Sequence, residues 1–96
     1  MPPQRKSKPR GPAYAALGHA IEVLIAKDPD ISRESVVAES GLNISQVNAL
    51  ISGQSNPTFR NLLRLCNGLH VEIDELMVLA RELREQRARR PGDPAA

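Results

Sequence analysis

Apolar residues in this chain recur at helical spacing, and a proline, glycine or asparagine cuts every run short. Leu17, Ala20, Ile21, Leu24 and Ile25 follow i, i+3, i+4, i+7, i+8, which predicts a first helix over roughly 13–27. Asp28-Pro29-Asp30 stops it, because a residue before proline avoids the right-handed helical region. Ser32 is placed as the N-cap of a second helix, about 33–40, that buries Val36 and Val37. Gly41 is placed as its left-handed C-terminal residue. Asn43 caps a third helix, about 44–52, and Gly53 ends it. Asn56-Pro57-Thr58 is a turn, with Thr58 capping a fourth helix over about 59–69. That helix is expected to bury Phe59, Leu62, Leu63, Leu65, Cys66 and Leu69, with His70 in a left-handed terminal position. A fifth helix starts near Ile73 and runs to about Arg90.

No segment alternates as a half-buried strand does, so the predicted class is all-α. Five short helices in so small a chain imply an orthogonal bundle with an extended fifth helix. The second and third helices are joined by three or four residues containing Gly41, which is helix-turn-helix spacing. The expected organisation is a disordered basic arm over 1–12, a helical domain over 13–79, a helix extension over 80–90 and a disordered tail over 91–96.

Charge is distributed unevenly along this order. The net +2 divides into +4 over residues 1–12, −4 over 13–79 and +2 over 80–96. One cysteine, Cys66, rules out an intramolecular disulfide. No apolar run reaches membrane-spanning length, and the basic start lacks the apolar core and cleavage site of a secretory signal. A reducing, cytoplasmic setting follows. No cluster has metal-ligand spacing, His19 and His70 stand apart, and no glycine-rich phosphate loop occurs, so no metal or cofactor is expected. Ser, His and Asp side chains fall in no nucleophile arrangement, so the chain does not read as an enzyme. With aromatic residues at 2%, there is no stacking platform for single-stranded nucleic acid.

A run of landmarks then becomes specific in combination. They are Leu17-Gly18, Ile21 and Leu24; Ile31-Ser32 and Val36-Val37; Gly41-Leu42-Asn43, Val47, Leu50 and Gly53; Asn56-Pro57-Thr58; and Leu62-Leu63, Leu65, Leu69-His70-Val71 and Asp74-Glu75-Leu76. In order and spacing, residues 17–76 resemble the Cro/repressor-type (XRE) helix-turn-helix family. The resemblance implies a lambda-repressor-like five-helix fold, double-stranded DNA as partner, a dimer on a two-fold operator and a repressor role in a bacterial or phage cytoplasm. Three departures stand out. Many relatives pair an arginine late in the first helix with a glutamate late in the recognition helix. The matching positions here are Ile25 and Ile51, which are therefore expected to touch. The Lys27–Asp30 connection is one residue longer than usual. Ser35 replaces the usual first-turn glutamate, which predicts a weakened capping box.

On a helical wheel Val47, Leu50 and Ile51 face inward. Ser45, Asn48, Ala49 and Ser52 face outward, with Gln46 at the border and Ile44 in the first turn. Ile44, Ser45, Gln46, Asn48, Ala49 and Ser52 are thus the candidate base readers: amides suit adenine, serine either base type, and Ala or Ile a thymine methyl. As an isolated pattern they read better as solvent-facing filler, and it is the family resemblance that favours base readout. Helix N-termini supply anion-binding N–H groups, so Ser32, Arg33, Asn43, Gln54, Asn56, Thr58 and Arg60 are candidate phosphate contacts. Arg5, Lys6, Lys8 and Arg10 form a basic arm suited to a groove or the phosphate chain, or simply to solubility. On the fifth helix, Leu76, Leu79, Ala80 and Leu83 are the candidate homodimer contacts. The acidic body and the lack of Lys or Arg on helix 3 keep an alternative open, a protein-interaction module or antitoxin-type partner protein on the same fold.

Overall fold

A computed structural model describes residues 11–89, all helical apart from turns. The helices are α1 (Pro12–Lys27), α2 (Arg33–Ser40), α3 (Ile44–Ile51), α4 (Phe59–Leu69) and α5 (Ile73–Arg89). Each bound lies within a residue of its sequence expectation, because local punctuation sets them. The Arg5–Arg10 arm and the 91–96 tail lie outside the described residues.

The helix starts show why these boundaries hold. Ser32, Asn43 and Thr58 each accept a hydrogen bond from the backbone N–H three residues on, at 3.1, 2.8 and 3.1 Å. Each bond satisfies a donor that the helix geometry leaves without a partner. The capping box of α2 is complete, which corrects the expectation of a weakened one. Ser35 Oγ accepts from the Ser32 N–H at 2.9 Å, doing with a hydroxyl what a longer carboxylate does elsewhere. Gln46 does the same for Asn43 at 2.9 Å. At the other end of α2, Gly41 takes φ 80°, a left-handed conformation that favours glycine. His70 takes a similar conformation at the end of α4, φ 61°.

Ile21, Leu65, Leu69, Leu76, Val36 and Val47 are fully enclosed and bring all five helices onto one core. α1 packs chiefly on α5 and α2 chiefly on α4, while α3 rests across α1 and α2. Close approach is bought by a missing side chain at Gly18, whose backbone meets the end of α3.

Three expectations about burial are corrected. Phe59 is 65% exposed and Leu63 45% exposed. The inward sector of α4 is filled by Leu65, Cys66 and Leu69, with Leu62 at its edge, so Phe59 and Leu63 point past it. On α5, Leu76 is wholly enclosed and Ala80 is buried within the same chain. Leu76 therefore presents no surface to a second copy, whereas Ala80 lines an open cleft with Leu17, Met77 and Arg81. Leu79 and Leu83 are half-buried, and Met77 and Val78 are the exposed apolar residues of this helix.

Candidate nucleic-acid interface

α3 is anchored by its inner residues and presented by its outer ones. Val47 and Leu50 are buried, while Ile44, Ser45, Gln46, Asn48 and Ser52 are exposed and Ala49 is half-buried. The inner pair fixes the helix on the body; burying a side chain of this size stabilises by about 1.5–3 kcal/mol. The outer surface is thereby a small, uncharged ridge that fits a major groove about 12 Å wide.

Not every candidate reader is idle before DNA arrives. Gln46 Oε1 is engaged by the Asn43 N–H. Ser52 Oγ donates to the Ala49 carbonyl at 3.1 Å. Asn48 Oδ1 accepts from Arg33 at 2.6 Å, a link between α3 and the first residue of α2 that sequence separation hides. A second guanidinium nitrogen of Arg33 lies 3.6 Å from Glu22 on α1. Both partners of that ion pair are about half exposed, so it contributes at most about 1 kcal/mol. Glu22 is the one member of this arrangement that the sequence reading passed over.

The candidate phosphate contacts gather at helix starts. Ser32 and Arg33 open α2, Asn43 precedes α3, and Thr58 and Arg60 open α4; all five are exposed. Gln54 and Asn56, in the loop between α3 and α4, are also exposed. Asn56 Oδ1 accepts from the Tyr14 hydroxyl at 3.2 Å, which ties this loop to α1. Arg60 forms no ion pair among the described residues and leaves its charge available to an anion.

Ile25 and Ile51 are both partly buried against the core. The α1 residue set against the Ile51 backbone is Gly18. Farther out, Ile51 and Ser52 border a cleft with Ala15, His19, Glu22 and Gln86.

The remaining reactive side chains are placed for structure. Cys66 is buried, and burial, reinforced by Glu72 and Glu75, pushes its thiol up to about 11. A thiol held protonated is a poor nucleophile. His70 pairs with Glu39 at 2.6 Å, and that hydrogen bond and charge hold the imidazolium to higher pH than usual. Among the described residues no group of His, Cys, Asp and Glu is set to hold a metal ion. Nor is any helix among them long and apolar enough to cross a membrane.

A family model described as a Cro/C1-type HTH DNA-binding domain matches residues 23–82. That span runs from the last five residues of α1 through the first ten of α5. No curated protein and no solved structure matches the chain. With a capped α2, a short glycine turn and an outward α3 inside the matched span, the chain belongs to the Cro/C1-type helix-turn-helix family of DNA-binding domains.

Proposed function

We propose that the protein is a sequence-specific transcriptional repressor that occupies a two-fold symmetric operator as a homodimer. The observation that carries this reading is the division of α3, whose Val47 and Leu50 are buried in the core while its amide and hydroxyl residues are exposed. In this reading α3 enters the major groove. Ile44, Ser45, Gln46, Asn48, Ala49 and Ser52 read bases. The capped starts of α2 and α4, with Arg33, Arg60 and the Asn43, Gln54 and Asn56 side chains, hold phosphates on either side. The body is acidic, so attraction to DNA is local and the basic arm of Arg5, Lys6, Lys8 and Arg10 adds the sequence-independent part.

The dimer contact belongs on α5, where Leu79 and Leu83 are half-buried and Met77 and Val78 are exposed. A symmetric pair of recognition helices matches two half-sites one helical turn apart. Selection of bound duplexes from a random library tests the proposal, with sedimentation run in parallel. The expected result is an inverted repeat bound two copies at a time, with affinity falling steeply in salt. Enrichment of no sequence would overturn it. In that event the acidic body and the uncharged α3 favour the antitoxin-type partner module, detected as a stable complex with a second protein.

A further inference from the structure

We infer that the cleft between the start of α1, the α3–α4 loop and the middle of α5 is a binding site for a small amphipathic anion, a molecule with an apolar body and one carboxylate or phosphate head. The site stands on the cleft itself and does not depend on the DNA-reading function proposed above.

The cleft has a volume of about 450 Å³. Small-molecule sites typically span about 300–1,000 Å³ and combine an apolar lining with a few placed polar groups. Leu17, Pro57, Leu62, Met77 and Ala80 supply the apolar lining. Leu17 and Ala80 are buried and belong to the rigid body of the domain. Met77 is exposed at the same cleft, and its unbranched thioether adapts to irregular apolar shapes. On the α1 side Ala13 and Ala16 leave room that larger side chains would fill.

The polar part of the lining has one sign of charge. Tyr14 and Asn56 are bonded to each other, hydroxyl to Oδ1, at 3.2 Å. Arg81 and Arg84 stand one turn apart on α5, and no carboxylate among the described residues lines the cleft. Both arginines are exposed and neither forms an ion pair among the described residues. A guanidinium fork matches the paired oxygens of a carboxylate or phosphate. From Met77 to Arg84 the helix rises about 10 Å, so the cleft is apolar at one end and cationic at the other. The occupant must be polarised in the same way. The basic stretch over residues 1–12 has the same sign of charge as the two arginines and is a poor occupant.

The test titrates the full chain with decanoate, decyl phosphate and decanol, each kept below the concentration at which it forms micelles, and follows backbone amide resonances. At least one of the two anions is expected to give saturable shifts centred on Leu17, Leu62 and Ala80, and decanol to bind at least about tenfold more weakly. Arg81→Glu and Arg84→Glu together are expected to reduce anion affinity to that of decanol. Ala13→Trp, at an exposed position of the lining, is expected to fill the cleft and abolish binding of all three. Circular dichroism establishes that both variants are folded. Decanol binding as tightly as the anions would overturn the inference, as would anion binding untouched by the two arginine substitutions. Cleft resonances that ignore all three probes and move with protein concentration instead would overturn it too, and would assign the cleft to a second copy of the chain.

Discussion

Gly18 on α1 lies directly against the carbonyl of Ile51 at the end of α3. A Cβ there would overlap the Ile51 oxygen and come within 2.9 Å of the Leu50 oxygen. The obstacle is backbone on both counts, so no side chain can swing aside. Gly18→Ala should therefore destabilise the fold despite alanine's better helix propensity, which returns only about 1 kcal/mol. Overpacking of this kind costs typically about 1–3 kcal/mol, and a loss of at least 2 kcal/mol is expected in urea unfolding. An unchanged midpoint would show that α3 does not seat there.

The cap of α2 makes a second prediction. Ser32→Ala removes the acceptor for the Ser35 N–H and breaks the reciprocal box, at a cost of about 1 kcal/mol. Ser35→Glu should leave stability within about 0.5 kcal/mol, since a glutamate in the same position can serve the Ser32 N–H. Thermal unfolding of both variants checks this, and a large gain from Ser35→Glu would mean that the serine box is poor.

Stability should fall as pH rises through the range where His70 titrates. Its pairing with Glu39 raises the folded-state value above the ordinary 6.5. The contribution is then fully present below that ordinary value and disappears as pH climbs through the raised one. Melting of the wild type should drop as pH rises above 6.5 relative to His70→Asn. Asparagine tolerates the left-handed backbone at this position and does not titrate. Parallel pH dependence in the two proteins would exclude the pair as a stabilising contact.

Cys66 should be inert in the folded protein. With its thiol shifted to about 11 and its side chain buried, an aromatic disulfide reagent at pH 8 should label it only as fast as the domain opens. Rapid stoichiometric labelling under native conditions would contradict that placement.

The α5 surfaces separate by a paired substitution. Leu76→Ala should cost about 2–5 kcal/mol of stability, because Leu76 is fully enclosed in its own chain. Val78→Lys should leave the melting point nearly unchanged, because Val78 is 45% exposed, and, if the proposed α5 dimer forms, should shift sedimentation toward monomer. Equal effects of the two on melting would show that exposure misplaces Val78.

Helix boundaries were legible in the sequence because Pro29, Gly41, Gly53 and the caps Ser32, Asn43 and Thr58 act within a few residues of themselves. Burial was less so. α4 carries six apolar residues where its inward sector holds four, and only packing decides that Phe59 and Leu63 are the two left out. On α5 the apolar sector is broad enough for a core and a partner. Which flank the body covers is a tertiary fact, and Leu76 and Ala80 are the two that are buried. The Arg33–Asn48 bond joins residues fifteen positions apart on different helices, and no local pattern encodes it.

The seating of α3 has a consequence for lineage. Its hold on the body runs chiefly through Val47, Leu50 and the bare backbone beside Gly18, and of its outer residues Gln46, which caps Asn43, and Asn48, bonded to Arg33, add only exposed hydrogen bonds. Substitutions along the ridge are therefore nearly invisible to folding selection. If α3 reads bases as proposed, descendants of this chain are free to acquire new DNA addresses quickly while keeping the same scaffold, and duplicated copies can stop competing for one another's sites within a few changes.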